Sequence, residues 1–499
     1  MRAFARANHK YRIHTVRARA RLIVASSTGD DARAYTHLSY DPCMSSVLSF
    51  EDARHLVERH AAFVRPRGKE LVALLDSYDL ILAEPVLADR HFPPFPRATR
   101  DGYAVRAADL EKVPATLTVI AEIRAGAAAD ATFKLQPGQA AAIMTGAPVP
   151  AGADAVVMVE YTSREGDQAT ITKTIAAGEN VVPIAAEAKR GDRLLSAGAR
   201  LDHAAIALAA SVGRSRLLVY SKPHVAVLAT GDELVDIDVP PEPTQIRNSN
   251  TYSLAAQIHA AGGEPVLLPI APDEPERLRE LIADGMEADL LLLSGGVSMG
   301  KYDLVEEVLA QFKADFFFTG VQVQPGRPAV FGRIPCGTGA PARESRSHQD
   351  AAERHNNSRI DQSALKGRGF SRAEKPQKES GASTPEEYKY FFGLPGNPVS
   401  TMVTFELFAR PMIEALAGVT PRKLIFPHAK LKSEIKTKPG LKRFLPAILS
   451  GEFEQAEVEL VRWQGSGDIA ATGTANCYIV IPPDRDRIAP GEWVPILMK

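Results

Sequence analysis

The middle of the chain alternates short apolar runs with amphipathic segments. Residues 224–230 read HVAVLAT and residues 290–293 are all leucine, so both runs predict strands that are buried on both faces. Between them, residues 251–261 have helical spacing, with Ser249 or Asn250 as a candidate N-cap and a glycine pair at the end. Buried strands that are joined by helices imply a parallel sheet covered on both faces, with its loops at the carboxyl edge.

The same alternation continues toward the C-terminus. It predicts strands over 264–270 and 316–318 and helices over 273–283, 304–312 and 399–416. Pro411 lies inside the last helix, so we expect that helix to kink or split there.

The flanks of this region have a different pattern. Residues 115–182 and 421–499 carry short alternating strands between Gly and Pro turns, which is typical of small β domains. Pro495 limits the last strand, 493–497, to a sheet edge. Near the start of the fold, Ser49 is predicted to cap a helix, with two acidic residues in its first turn.

Two segments lack the pattern of a folded core. Residues 1–29 contain seven basic and no acidic residues, which fits a transit peptide, a disordered extension, or a start that is too long, with the true start at Met44. Residues 335–388 are poor in apolar periodicity and predict a disordered insertion between two strands. We expect His348 and His355 within it to be solvated rather than metal ligands.

Composition removes several classes of function. The 499 residues carry a formal net charge of −1, so general nucleic-acid binding has no electrostatic support. No apolar run approaches the ~18 residues of a membrane span. Cys43, Cys336 and Cys477 are far apart in sequence, which argues against a disulfide framework or a zinc site and favours a reducing compartment.

Two glycine-containing loops follow predicted strands and suit an oxyanion. In the first, glycines let backbone N–H groups converge, and serines add hydroxyl donors; its candidate residues are Ser294, Gly295, Gly296 and Ser298. The second opens a helix, whose N-terminus carries free N–H groups and partial positive charge; its candidates are Pro395, Gly396, Asn397, Pro398 and Ser400. Each loop alone is also compatible with an ordinary tight turn.

Charged residues complete this predicted edge. Arg327, in a PGRP turn, suits an oxyanion but is equally compatible with a surface position. Asp232, Glu233 and Asp303 also follow predicted strands, and carboxylates beside a phosphate call for a bridging cation such as Mg²⁺. An Asp-Glu pair alone is also typical of a helix start. Neither GxxxxGK[ST] nor a strand followed by GxGxxG occurs, so ATP hydrolysis and nicotinamide chemistry lose support.

Seven motifs occur in a specific order. They are DGYAV from Asp101, MTGAPVPAGADAVVMVE around Thr145, ATGDEL, IRNSN, SGGVSMG, PGRP and GLPGNPVS. Together they resemble the molybdopterin molybdenumtransferase family, the bacterial molybdenum insertases, and are similar to the C-terminal domain of gephyrin. The resemblance covers residues 45–499 apart from the insertion.

The resemblance implies an activity and a set of partners. The family cleaves adenylylated molybdopterin to AMP and leaves molybdenum from molybdate on the dithiolene, with Mg²⁺ assisting. It implies a cytoplasmic homodimer, no membrane or nucleic-acid partner, and a pterin-adenylylating protein as donor. By motif, the catalytic candidates are Asp101, Thr145, Asp232 and Asp303, and the metal candidates are Asp232, Glu233 and Asp303.

Pattern and resemblance together predict a multi-domain α/β plus β fold. It has a doubly wound α/β domain, a small β domain, a helical linker domain and a C-terminal domain that resembles a β-barrel. The predicted division is 1–44 as a basic extension, 45–95 with 182–216 as the linker and dimerisation domain, 96–181 as the small β domain, 217–420 as the α/β domain and 421–499 as the C-terminal β domain.

The chain departs from the family pattern at two segments, and two other functions stay open. Where the family often has Ser-x-Met before Asp-Gly-Tyr, this chain has Ala98-Thr99-Arg100. Where the family often has Arg after Asn-Val and then Gly-Glu-Asp, this chain has Val182 and then Ala185-Ala186-Glu187. A scaffold role, as in gephyrin, does not require acidic residues grouped in one cleft, so the acids of this chain favour an enzyme over a scaffold. The pterin-adenylylating enzyme has a similar α/β domain, but DGYAV and TGAPVP lie outside that domain and favour the insertase.

Overall fold

The computed structural model describes residues 47–126, 134–296, 304–336, 388–420 and 422–499. The predicted extension 1–44 and nearly all of the predicted insertion lie outside these residues. Within these ranges no helix is both long enough and apolar enough to cross a lipid bilayer.

The central sheet has six strands and mixed direction. Their order across the sheet is Glu264–Leu267, His224–Ala229, Leu290–Ser294, Tyr388–Leu394, Val330–Pro335 and Asp315–Phe318. The first four are parallel, as predicted, but the last two pair antiparallel. The expectation of a wholly parallel sheet is therefore wrong at this edge, where strands that are consecutive in the chain pair as neighbours; antiparallel edge strands on a parallel sheet are common.

Helices cover both faces of this sheet, so the α/β domain is doubly wound. The helices are Ser249–Ala261, Pro275–Gly285, Leu304–Gln311, Pro398–Thr404 and Arg410–Leu416. On one face Leu254 and Ile258 pack with Val225 and Val227. On the other, helix residues such as Leu278 pack against strand residues that include Ala226 and Leu228. The strand side chains alternate between the two cores, as the period of two requires.

The helix Ser249–Ala261 follows the strand His224–Ala229, and its N-cap lies one residue before the predicted caps. Its N-cap is Asn248, whose side chain accepts the N–H of Thr251 at 3.2 Å. The predicted cap at Ser249 or Asn250 is wrong because both residues already lie within the helix. The predicted stop is confirmed, since Gly262 adopts a left-handed conformation with φ of 91°.

Pro411 splits the last helix of the domain, as predicted. A π-helical turn, Phe405–Ala409, separates the two α-helical segments. The α-helical donor to the Leu407 carbonyl would be the N–H of residue 411, which proline lacks. Arg54, from the helix Phe50–Ala61, donates a hydrogen bond to that carbonyl instead.

Two β units flank the α/β sheet. The small β unit is a six-stranded sheet in the order Ala155–Met158, Gly102–Val105, Gln139–Ile143, Ala115–Ile123, Gln168–Ile171 and Thr162–Glu165. The C-terminal unit is a closed five-stranded barrel of Lys442–Ser450, Glu457–Leu460, His428–Leu431, Trp493–Met498 and Cys477–Ile481. A barrel-like C-terminal fold is therefore confirmed.

Pro495 does not make the last strand an edge strand. Residues 493–495 pair with the strand His428–Leu431, and residues 496–498 pair with Cys477–Ile481. Proline lies where the pairing passes from one neighbour to the other, so the missing N–H costs no ladder bond there. The predicted edge position is wrong for this reason.

Smaller elements connect these units. The helix Phe50–Ala61 begins at Ser49, which accepts the N–H of Asp52 at 3.1 Å, so the predicted cap is confirmed. The remaining helix bounds are His203–Ser211 and Ile469–Thr474, with 3₁₀ turns at Leu75–Ser77, Ala107–Leu110, Val159–Tyr161 and Phe453–Gln455. The remaining paired strands are Val47–Leu48 with Gly320–Val321, Lys69–Ala73 with Arg216–Tyr220, Val86–Leu87 with Arg193–Leu195, Arg97–Ala98 with Val181–Val182, Leu234–Val235 with Ile246–Arg247, and Ile435–Lys436 with Arg487–Ile488, while Val323–Gln324 joins the barrel strand Lys442–Ser450.

The hydrogen bond from Arg54 to the Leu407 carbonyl predicts that replacing Arg54 lowers the stability of the fold. Arg54→Met leaves the buried Leu407 carbonyl without this donor, and we expect it to lower the free energy of unfolding by about 2 kcal/mol. Urea denaturation measures the change. The control is Arg59→Met on the exposed side of the same helix, which should change stability by less than about 0.5 kcal/mol. Equal effects of the two variants would contradict the assignment.

His60 predicts a dependence of stability on pH. Its ring stacks on Phe317 at 4.0 Å between centroids, and burial together with Arg333 and Arg59 lowers its pKa from 6.5 to about 4. Because the folded-state pKa is the lower one, the stability that neutral His60 contributes is complete above about pH 6.5 and is lost as the pH falls toward 4. His60→Phe keeps the stacking, so its urea midpoint should fall less steeply over this range. The exposed His55→Phe variant should follow the wild type; a wild-type slope in His60→Phe would refute the assignment.

Candidate active site

The loop after the strand Leu290–Ser294 depends on glycine. Gly295 has φ of +93°, and a Cβ at this position would lie 2.5 Å from the Thr230 carbonyl oxygen. Its N–H donates to the Leu394 carbonyl at 3.2 Å. Gly296 has φ of +63° and is exposed. Only glycine fits this turn, which brings the ends of three neighbouring strands together.

The second loop lies directly against the first. A Cβ at Gly396 would be 3.5 Å from the Cα of Gly295. The hydroxyl of Thr401 donates to the carbonyls of Pro395 and Asn397, the latter at 3.1 Å. Pro398 begins the helix Pro398–Thr404, where a proline costs no hydrogen bond. The two glycine loops therefore share one edge of the sheet, as the sequence predicted.

A residue of the C-terminal barrel unit secures this second loop. The side-chain amide of Asn397 donates to Ser466 Oγ at 3.0 Å, and the Val399 N–H donates to the Ser466 carbonyl at 3.1 Å. Sequence analysis did not single out Ser466. Its only signal is a GSG turn, which by itself carries no specific meaning.

The predicted serine donors are not exposed. Ser294 is 2% exposed and Ser400 is 4% exposed. The exposed residues of the two loops are Gly296, Gly396 and Asn397. The exposed surface of the two loops is therefore formed by these three residues rather than by Ser294 and Ser400.

Arg327 lies on a neighbouring turn. Gly326 has φ of +107°, and a Cβ there would lie 2.3 Å from Thr404 Cγ2, so the PGRP turn packs on the helix Pro398–Thr404. Arg327 itself is exposed. The turn that carries it therefore lies against the helix that the second loop opens.

Asn250 links the two loops and was missed as an individual residue. Its side-chain amide donates to Ser294 Oγ at 3.0 Å and to the Gly396 carbonyl at 2.7 Å. Its sequence signals were its place in the IRNSN motif and its candidacy as a helix N-cap, and neither pointed to a contact between the loops. The helix Ser249–Ala261 thereby holds the ends of two parallel strands at a fixed spacing.

The acidic residues form a chain of hydrogen bonds beside these loops. Asp232 accepts the N–H of Asp273 at 3.0 Å, and Asp273 accepts the hydroxyl of Thr230 at 3.0 Å. A Cβ at Gly231 would lie 2.5 Å from a Glu233 carboxylate oxygen, so Glu233 folds back over this glycine. Asp273 was missed because its position read only as the start of a helix.

The predicted metal site is only partly within the described residues. Ser298 and Asp303 lie outside them. Among the residues with described positions, no group of three or more His, Cys, Asp or Glu side chains is arranged to hold a metal ion. The exposed Asp232 has one carboxylate oxygen that is not used by Asp273.

Asp101 and Thr145 form a second, separate pair in the small β sheet. The N–H of Thr145 donates to Asp101 Oδ1 at 2.6 Å, and this bond, together with the Thr145 hydroxyl, lowers the pKa of Asp101. The carboxylate is exposed and stays ionised at neutral pH. Gly102 is required here because a Cβ would lie 1.8 Å from the Val157 carbonyl oxygen. No hydrogen bond between described residues joins this pair to the two glycine loops.

Comparison with known families covers nearly all of these elements. Residues 48–213 match the MoeA N-terminal region (domain I and II), residues 226–415 match a probable molybdopterin binding domain, and residues 428–498 match the MoeA C-terminal region (domain IV). Molybdopterin molybdenumtransferase of Nostoc sp. is 37% identical over 86% of this chain and 88% of its own. The chain belongs to the molybdopterin molybdenumtransferase family.

Other relatives agree with this assignment. Molybdopterin molybdenumtransferase of Bacillus subtilis is 30% identical over 89% of this chain and 92% of its own. The crystal structure of a molybdopterin biosynthesis moeA protein from Pyrococcus horikosii is 29% identical, has a TM-score of 0.61 and matches 91% of this chain and 99% of that one. The chain is therefore an enzyme, a transferase with a role in molybdenum cofactor biosynthesis.

The segment that departs from the molybdenumtransferase pattern keeps its fold by other contacts. Glu187 forms an ion pair with Arg97 at 3.0 Å, although both side chains are largely exposed. Ala185, where the family often has Gly, has φ of 61°. Alanine is strained in this left-handed region.

The left-handed conformation of Ala185 therefore predicts that a glycine at this position stabilises the protein. Ala185→Gly relieves the left-handed strain, and we expect the free energy of unfolding to rise by about 0.5–1 kcal/mol after the entropic cost of glycine. Thermal denaturation measures the effect. The control is Ala186→Gly, the next residue, which has no positive φ and should destabilise. Destabilisation by both substitutions would show that φ at residue 185 carries no strain.

Proposed function

We propose that this protein inserts molybdate into adenylylated molybdopterin and releases AMP, the last step in forming molybdenum cofactor. The observation that carries the proposal is the contact between Gly295 and Gly396, which brings two glycine loops to one sheet edge beside Asp232. Such an edge binds phosphate or another tetrahedral oxyanion through backbone N–H groups. Family membership supplies the substrate class: molybdopterin is in the printed names of the relatives.

The two loops have the donors that both anions of this reaction need. Exposed Gly396 and Asn397 precede the helix Pro398–Thr404, and exposed Gly296 lies on the neighbouring loop. The bound phosphate of the adenylate and the molybdate dianion each gain from N–H donors that are already oriented, because no reorganisation is needed on binding. Exposed Arg327 adds a cation that is always charged.

The acids suit a magnesium ion that is shared with the substrate. Asp232 offers a free carboxylate oxygen, and we assign Asp303 as its partner, with Glu233 as a further ligand candidate. Hard oxygen donors from one or two carboxylates and from a phosphate are the usual ligands of Mg²⁺. Bound there, the ion would neutralise charge on the phosphate oxygens of the adenylate.

Asp101 and Thr145 are proposed to serve the exchange itself. Replacing oxo groups of molybdate by dithiolene sulfurs releases water and needs protons delivered to the departing oxygens. The ionised Asp101 carboxylate, held by the Thr145 N–H, can orient a water or a proton donor. Since no hydrogen bond between described residues joins the pair to the glycine loops, we propose that a homodimer supplies Asp101 from the second subunit.

The remaining parts of the proposal concern organisation. The domain division at residues 95, 181, 216 and 420 is retained as proposed. We also propose a cytoplasmic location and a pterin-adenylylating protein as the donor of the substrate.

The direct test is AMP release by the purified protein. With adenylylated molybdopterin and Mg²⁺, release should depend on molybdate. Asp101→Asn removes the carboxylate charge that orients the water or the proton donor, and we expect it to lower kcat by about 100-fold or more.

A matched control exists in the same sheet. Asp109 also accepts a backbone N–H, that of Gly138 at 3.0 Å, without belonging to the motif. Asp109→Asn should keep wild-type turnover. Absence of AMP release by the wild type would refute the proposed function, whereas normal turnover of Asp101→Asn would remove only Asp101 from it.

A further inference from the structure

Asn250 occupies an unusual position for a polar residue. It is 9% exposed, in the first turn of the helix Ser249–Ala261, and it lies between two loops that come from other parts of the chain. Its amide nitrogen donates to Ser294 Oγ and to the Gly396 carbonyl. Its Oδ1 is buried and has no hydrogen-bond partner among the described residues.

The orientation of this amide is determined by chemistry. The Gly396 carbonyl can only accept, so the group 2.7 Å from it must be the NH₂. The second N–H of the same group points to Ser294 Oγ, which accepts it. Turning the amide over would place its oxygen against the Gly396 carbonyl oxygen and lose that bond.

The two partners of the amide differ in exposure. Ser294, at the end of a central strand, is 2% exposed, whereas Gly396 is exposed on the helix-opening loop. One amide therefore ties the surface turn to the rigid interior of the sheet. Ser466 holds the same loop only at Asn397 and Val399.

We propose that Asn250 is a positioning residue that sets the distance between the two glycine loops and so aligns their backbone N–H groups on the bound oxyanion. This rests on the proposed function of the same site. The unpartnered Oδ1 supports a functional role, because a buried amide oxygen without a partner is costly and such groups are retained where function needs them.

The chain offers a matched pair of asparagines for the test. Asn248 and Asn250 are both buried, lie two positions apart and begin the same helix. Among the described residues the Asn248 side chain bonds only to Thr251 of its own helix, and aspartate is as good an N-cap as asparagine. Asn248→Asp should therefore keep kcat/KM within about threefold of the wild type.

Asn250→Asp keeps the volume but loses the donor. Its carboxylate repels the Gly396 carbonyl, so the loop moves away, and we expect kcat/KM for AMP release to fall by about 100-fold at pH 8. The Kd of AMP with Mg²⁺, measured by calorimetry, should rise by about tenfold. A protonated carboxyl can again donate to Gly396, so the deficit relative to the wild type should shrink as the pH falls from about 8 to about 5.5.

The outcomes separate this proposal from the proposed function. A loss in Asn250→Asp that is partly recovered at low pH, with Asn248→Asp unaffected, supports the positioning role. Equal effects of the two variants, or a deficit that is independent of pH while circular dichroism shows both folded, would overturn it. If the wild type binds AMP but releases none from the adenylylated pterin, the proposed function fails, and the AMP affinities of the two variants still decide the role of Asn250.

Discussion

The close approach of strand ends at Gly295 and Gly396 is the constraint on which the rest of this site depends. The parallel strands are covered by helices on both faces, so their carboxyl edge is where their backbone can reach a ligand. At this edge the chain must turn within van der Waals distance of the neighbouring strand end. Glycine, two prolines and a buried amide satisfy that requirement, and Gly296, Gly396 and Asn397 stay exposed at this edge.

The local elements of the α/β domain could be predicted because their signals are local. The apolar run at 290–293 and the helical spacing at 251–261 each depend on burial of one segment, and both elements form within two residues of the predicted bounds. Strand direction could not be predicted in the same way. Pairing of Val330–Pro335 with Tyr388–Leu394 joins segments that are more than 50 residues apart in sequence, and no local pattern records it.

The candidate site was predicted in kind but not in detail. A pair of glycines after a buried strand is visible in the sequence and indicates a tight turn that can approach a ligand. The exposure of a side chain is not visible in the sequence. Ser294 and Ser400 were predicted to be hydroxyl donors, yet tertiary packing buries both. Asn250 and Asp273 were missed for the converse reason, because their partners, Gly396 and Thr230, are distant in sequence. The resemblance to a family pointed to the two loops that meet at the sheet edge but not to the residues that brace them.

The segment around Glu187 shows how a departure from a family pattern is to be weighed. The backbone just before it is tied to the small β sheet, since the Asn180 side chain donates to the Val156 carbonyl at 2.9 Å. The ion pair with Arg97 is exposed and contributes little to stability. A weak pair that is freely solvated imposes no geometry on the Asp101 loop, whose shape depends instead on Gly102 and on the Thr145 N–H. The departure therefore changes charge at the rim of the small β sheet and leaves the geometry of its central carboxylate intact.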